Sequence, residues 1–569
     1  GTEILETIDG RAMAAWEAYA YRGQDSCQDI PWPEDAGAAG NADIAYEDDA
    51  VEFRPAFKKV LAMASAYAAK GSRYYKDSQM LSDMKHILNW LCSNCYTPKT
   101  QTDNWWTWEI GLPKDLIPAL VLLYDDLTPE ETALYTEALY FFQPDPYHEG
   151  LIGTGSTHAQ GYRTAQGANI IDCSRTALGL GVLREDNELV YLASKAASET
   201  FVIQSVEDST KIADQGYTSG FYADGSYLDH SHVPYLGSYG IEFLKGGVGL
   251  PPLLAKSPWD FPREVQENLE FYLKEGFLNG IYNGLMMDSL KGRSVSRPGA
   301  SDRDSGREAM ALMIQLMNSV SPEVEEELKG ALKTWIDLDP GFLDTLTGAE
   351  NMAVKEKAIE IRDDDSIVSS IQPVHKNMPL MDRAVHRTDD FQLALSMYSE
   401  RIQNTEIMNH ENRYGWHQGS GMTYLYNRDI LQYTENFWNT VNPLRLAGTT
   451  VVSKDIGTGQ PDSSGFAQGG DFRSKESWVG GSTIGTNGIN GMSMTGEVRV
   501  KEGEGSPSIL YAPEFSAKKS WFMFGGQIVC LGAGITNTGE TYPVESIIEN
   551  RRLRPEEDNV LTVNGEAED

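Results

Sequence analysis

Residues Val51–Gly71 read VEFRPAFKKVLAMASAYAAKG. Apolar side chains recur at three- and four-residue steps, as in Phe53, Phe57, Val60, Leu61, Ala64 and Tyr67, which places them along one helical face. The same period runs through Met80–Leu91, MLSDMKHILNWL, and Asp115–Leu127, DLIPALVLLYDDL, with turn and cap signals between them. Thr128, Pro129 and Glu131 form a helix start, with an N-cap hydroxyl, Pro at the first position and a capping-box carboxylate. Ser321, Pro322 and Glu323 begin another. About 340 residues thus predict successive amphipathic helices, and without a short solenoid repeat they suggest a helical array or toroid.

The pattern changes after about Ala349. FQLALSMYS (391–399), SWFMFGGQIVCLGAG (520–534) and NVLTVNG (559–565) are short, rich in β-branched or aromatic residues, and punctuated by Gly, Asn and Asp. They predict an antiparallel β sandwich. The expected fold class is multidomain α + β, divided into a helical domain over 1–355 and an antiparallel β-sheet domain over 356–569. Asp455–Gly496 is so rich in Gly, Ser and Thr that long surface loops are expected there. The acidic end NVLTVNGEAED arrives in mid-pattern, so the β domain is expected to be incomplete.

The 569 residues, 41% of them hydrophobic, are enough for large cores. Asp and Glu outnumber Lys and Arg by 83 to 47, a net charge of -36. Such a surface repels nucleic acid and anionic membranes, so an anionic ligand needs a local basic cleft. No run approaches the roughly 18 apolar residues of a membrane span, and Gly1 does not open a signal peptide. If the protein is exported, its leader is expected to have been removed. Five cysteines are too few for a disulfide scaffold. Cys92 and Cys95 form a lone C-x-x-C without a second ligand pair, and buried helix positions explain them better than metal or redox chemistry. No G-x-S-x-G, Walker loop, H-E-x-x-H or dinucleotide fingerprint occurs.

Five clusters concentrate polar and aromatic residues. NWWTWEIGLP (104–113) holds three tryptophans in four positions, which cannot all face one core from a helix. Their faces suit sugar rings, or they make a core corner. QGANIID (166–172) places Asn169 just after a glycine turn, where an Asn is usually a cap. In ADGSYLDHSHVPYLGSYG (223–240), His230 and Tyr239 stand nine residues apart, out of phase on a helix that Pro234 would disturb anyway. To face one cavity they need a loop followed by a helix start. KGRSVSRPG (291–299) pairs Arg293 with Arg297 at four-residue spacing; such neighbours call for carboxylates or an anionic ligand. MNHENRYGWHQGSGMTYLYN (408–427) gathers His410, Glu411, Asn412, Arg413, Trp416 and His417 in a polar loop near the start of the β half.

These clusters in this order, with FWNTVNPLRLAGTTV (437–451), resemble polysaccharide lyase family 8, which includes hyaluronate, chondroitin AC and xanthan lyases. The similarity runs from about Asn104 to Ile535. It implies an incomplete α/α toroid followed by antiparallel β-sheet domains, and β-elimination at a uronic acid that leaves a C4–C5 unsaturated sugar. By matching position, Asn169 and His230 would neutralise the substrate carboxylate. Tyr239 would abstract the C5 proton and protonate the leaving oxygen, Arg293 supplying the positive field that a phenol of ordinary pKa about 10 needs. Glu411 would orient this network. Trp105 and Trp106 would seat the sugar chain with Asn104; Arg297 would hold substrate or help shape the site, and Asn412 would hold substrate. Tyr227 and Tyr235 are left to packing, and His232 to solvent or a supporting contact.

The resemblance requires no metal or other cofactor, although structural calcium occurs in some members. EIGLP (109–113), the PDP at Pro144–Pro146 and the insertion before Asn169 look closer to members acting on hyaluronan or chondroitin; LLYDDL (122–127) resembles a xanthan-cleaving one. The expected partner is an anionic polysaccharide, with no nucleic acid and no membrane insertion. A secreted or cell-surface monomer is expected, since a polymer must be cut before it can enter a cell. A carbohydrate-binding protein without turnover is the other class; the complete set Asn169, His230, Tyr239 and Arg293 argues against it.

Overall fold

A computed structural model describes residues 2–19, 54–98, 105–150, 163–206, 217–348, 351–368, 371–409, 411–454, 472–497, 510–539, 542–553 and 560–568. Its first half is an α/α toroid. The helices Arg54–Ala68, Pro113–Leu123, Gly167–Leu183, Tyr239–Leu254, Asp302–Leu316 and Met352–Asp363 pack one against the next as a curved tier. Thr2–Tyr19, Ser78–Asn94, Pro129–Phe142, Asn187–Thr200 and Pro322–Leu338 lie against that tier. Glycines set the spacing of the first tier. A methyl group on Gly246 would stand 2.0 Å from Ile171, and one on Gly179 would stand 2.5 Å from Ile117, so these helices approach more closely than any side chain would allow. Thr128 and Glu131 form the expected capping box, and Cys92 and Cys95 are buried in the helical core.

Helix Met352–Asp363 lies across the expected division at 355/356, because Val354, Ala358 and Ile361 give it an apolar face against Pro322–Leu338. The β half begins with Val374–Met378. This strand joins Arg383–Arg387, Gln392–Ser396 and Met422–Tyr426 in an antiparallel sheet. A second antiparallel sheet holds Val479–Ile484, Asn487–Glu497, Leu510–Phe524 and Gln527–Asn537. The first sheet is the middle layer: Val385, Ala394, Tyr424 and Tyr426 join the helical core, while Ala384, Leu393 and Leu395 meet Met492, Met494, Trp521 and Met523 of the second sheet. Burial on both faces explains the near-continuous apolar run FQLALSMYS.

The expectation of long loops over Asp455–Gly496 fails from 479 onward, where Val479–Ile484 and Asn487–Glu497 form a hairpin. Large neighbours occupy the space its glycines leave. A methyl group on Gly488 would lie 2.1 Å from the His375 ring, and one on Gly491 would lie 2.6 Å from Trp478.

The two halves are joined by polar bonds as well as by core. Arg383 Nε donates to the Ser289 carbonyl at 2.8 Å, and Arg387 Nη2 to that of Leu278 at 2.5 Å. Trp438 Nε1 donates to Asp288 at 2.7 Å. His232 is buried and its Nδ1 donates to the Arg401 carbonyl at 2.8 Å, so it serves as a supporting contact rather than a solvent-facing residue. Among the described residues no helix is long and apolar enough to cross a membrane.

Candidate active site

The site lies where the β half closes on the toroid. Strands Tyr227–Asp229 and Val233–Pro234 form a tight hairpin whose tip carries His230 at φ 46 and Ser231 at φ 65. The chain then turns into helix Tyr239–Leu254, with Tyr239 as its first residue. This is the loop and helix start that two inward-facing side chains require. The rings of His230 and Tyr239 meet edge to face at 5.1 Å, and Tyr235 meets Tyr239 at 4.8 Å.

Asn169 sits half-buried in the first turn of Gly167–Leu183. Gly167 adopts φ +54, and a methyl group there would stand 2.6 Å from Ser219 and 3.0 Å from Asp229; its absence lets this helix end abut the His230 hairpin. Asn169 lies beside Glu149, whose carboxyl burial pushes above the usual range despite the Arg163 guanidinium.

Arg293 is the hub. Its side chain is only 4% exposed. Nε donates to Glu411 at 2.6 Å, and Nη1 to Glu406 at 2.8 Å and to the Tyr235 hydroxyl at 2.9 Å. Nη2 lies 3.5 Å from the Tyr239 hydroxyl. Arg297 completes a fork on Glu411 at 2.5 and 3.0 Å. His230 Nδ1 meets Glu406 at 2.5 Å, which commits that nitrogen as a donor and leaves Nε2 for a ligand.

Glu406 was not among the expected site residues. Burial opposes its charge, yet His230, Arg293 and the Tyr235 hydroxyl hold its carboxyl down at about 2. Its trace in the sequence is one of charge: two neighbouring guanidiniums and an imidazole require more than the single carboxylate of Glu411. Burial lowers the His230 imidazole, but Glu406 and Asp229 outweigh it and raise it above the ordinary value. Tyr239 is raised as well, because burial outweighs Arg293. Arg293 lowers it in part, its charge being shared with Glu406 and Glu411.

Other expectations divide. Trp105 is buried with Arg163 5.1 Å over its ring, and half-buried Trp106 carries Arg54 at 5.3 Å and Lys114 at 5.7 Å. Trp108 belongs to the core with Tyr96 and Phe142. Asn104 and His410 lie outside the described residues. Asn412, expected to hold substrate, is buried; its amide nitrogen donates to Thr405, the Glu406 carbonyl and Gln418, and its oxygen accepts from Gln418. It braces the loop carrying Glu406 and Glu411. Tyr227 packs against Phe221 and Phe243 as expected, but Tyr235 bonds Arg293 and donates to Glu406, so packing does not describe it. Among the described residues no three His, Cys, Asp or Glu side chains gather as a metal-holding group.

Residues 29–334 match the model for the N-terminal α-helical domain of polysaccharide lyase family 8, and residues 373–569 that for its super-sandwich domain. Hyaluronate lyase HylB of Enterococcus faecalis is 31% identical, covering 92% of this chain and 49% of that protein. A xanthan lyase of Bacillus sp. strain GL1 is 32% identical, covering 99% of this chain and 53% of that protein. The chain thus spans about half the length of these curated relatives. Among solved structures, a Paenibacillus xanthan lyase superposes with TM-score 0.78 at 30% identity, over 100% of this chain and 48% of that one. The chondroitin AC lyase of Streptomyces coelicolor A3 superposes with TM-score 0.77 at 29% identity, over 96% of this chain and 68% of that one.

Proposed function

Because the chain belongs to polysaccharide lyase family 8, we propose that it cleaves the 4-linked glycosidic bond to a uronic acid by β-elimination. The observation that carries this reading is the Arg293 hub, which joins the Tyr239 hydroxyl to Glu406 and Glu411 while Glu406 also holds His230. A C5–H bond beside an ionised carboxylate is a weak acid. The Asn169 amide and the His230 imidazolium would bind that carboxylate, so that charge developing in the transition state meets donors already in place. Tyr239, as phenolate against Arg293, would take the C5 proton; the C4–O bond would break as the C4–C5 double bond forms; and the same proton would return to the leaving oxygen.

The raised values of His230 and Tyr239 give this scheme a definite pH form. The active species is imidazolium with phenolate, a minority form whose share is nearly constant between the two pKa values and falls outside them. Activity should therefore plateau above pH 6.5, the ordinary imidazole value.

Hyaluronan or chondroitin is the proposed substrate class, supported by the EIGLP and PDP segments and by the similarity to HylB. Xanthan is the second reading, favoured by the 32% identity over nearly the whole chain to a xanthan lyase. The protein would act as a monomer outside the cell, where polymers of this size occur. Incubation with hyaluronan, chondroitin and xanthan, following the absorbance of the unsaturated uronate, tests the reading. A rise on one of them is expected, and no rise on any would sink it.

A further inference from the structure

Tyr235 is fully buried beneath the hub. Its hydroxyl donates to Glu406 and accepts from Arg293 Nη1 at 2.9 Å, and its ring stands edge to face against both His230, at 5.6 Å, and Tyr239, at 4.8 Å. The backbone is shaped around it. Gly292, immediately before Arg293, adopts φ +53, and a methyl group there would lie 2.3 Å from the Tyr235 ring. Any other residue at 292 would push the phenol and the guanidinium apart. A ring needed for packing alone would not require its hydroxyl to sit between a buried carboxylate and a buried guanidinium.

We propose that Tyr235 is a positioning residue, whose hydroxyl fixes how the Glu406 carboxylate is shared between His230 and Arg293. This role rests on the lyase reading only for its catalytic consequence. A carboxylate that loses a neutral donor becomes a stronger acceptor for its remaining partners. Tyr235→Phe keeps the ring and removes that donor, so Glu406 should bind His230 and Arg293 more tightly. The His230 titration should then move to higher pH, and Arg293 should be held back from Tyr239. Glu406→Gln removes the charge itself, so the His230 titration should move the other way. With Glu406 gone, the Tyr235 hydroxyl has nothing left to share, and the double variant should behave as Glu406→Gln alone.

The test is the pH dependence of diethyl pyrocarbonate modification of His230, read by peptide mass, alongside kcat and KM on the polysaccharide that the wild type cleaves. Expected for Tyr235→Phe are an upward move of the His230 midpoint and a kcat lower by about tenfold to a hundredfold, the size of one lost charge-assisted hydrogen bond, with KM changed less than kcat. An unmoved His230 midpoint in folded Tyr235→Phe overturns the proposal, as does a loss that adds in full to that of Glu406→Gln. If Tyr235→Phe does not fold, Gly292→Ala displaces the same ring and should move the same midpoint; an unmoved midpoint there overturns it equally. A wild type inert on every polymer, with a midpoint that still moves, refutes the lyase reading and leaves the positioning role standing.

Discussion

Replacing Glu406 with Gln tests the electrostatics of the site most sharply. The carboxyl lies at about 2 against an ordinary 4.5, a preference for the charged form equivalent to about 3 kcal/mol. That preference comes from His230, Arg293 and Tyr235 acting together against burial. Gln keeps the volume and an acceptor oxygen but no charge. Arg293 would then rest on Glu411 alone, and His230 would lose the main support of its raised value. If the transition state feels the full loss, kcat/KM falls by about a hundredfold, since each 1.4 kcal/mol is tenfold. The acidic limb of the kcat/KM profile should move to lower pH, because it reports the imidazole of the free protein. Steady-state rates across pH, with thermal unfolding to show that the variant is folded, provide the measurement. A variant within threefold of wild type and an unmoved acidic limb would mean that the Glu406 charge supports neither His230 nor the transition state.

Further outcomes follow from the same structure. Tyr239→Phe should remove nearly all turnover while polysaccharide binding, measured by calorimetry, persists; a substantial residual rate would mean that another group is the base. His417 and His375 are held down by burial, at about 3 and about 4, so both are neutral when folded. The sign follows from their depression: stability is full above pH 6.5 and is lost as pH falls below it, by about 3 kcal/mol for each at pH 4, as urea unfolding at the two pH values would show. Glu406 has the same direction, its contribution being present above 4.5 and lost as pH falls toward 2. Thr128→Ala removes the capping-box hydroxyl of Pro129–Phe142 and should cost about 1 kcal/mol, again by urea unfolding, without changing the rate.

Helices such as Ser78–Asn94 and Pro129–Phe142 were legible because they carry their own period and caps; Thr128, Pro129 and Glu131 marked a boundary to the residue. The strands over 479–497 were not, because their glycines are compensated by the distant His375 ring and, across the hairpin, by Trp478, pairings that local composition does not reveal. At the site, His230, Tyr239, Arg293 and Glu411 come together from the segments the sequence singled out. Glu406 escaped because its identity as a site residue is a matter of burial. Five residues before Glu411 it looks like any polar-loop acid, and only the closing of the β half over the toroid places it between His230 and Arg293. Asn412 and Tyr235 failed in opposite directions for a related reason. The polarity of an amide does not say whether its partners are substrate or protein, and the bulk of a phenol conceals where its hydroxyl points.

On the proposed reading the glycosidic bond breaks by elimination rather than by addition of water. Carrying out the cleavage briefly in water enriched in heavy oxygen, reducing each new hemiacetal end at once with borohydride so that its oxygen cannot exchange with water, and weighing the products separates the two. Elimination gives an unsaturated uronate at one new end and a hydroxyl that keeps the original glycosidic oxygen at the other, so no label enters the newly cut ends. Heavy oxygen incorporated once per bond cleaved, with no unsaturated sugar, would mean hydrolysis instead.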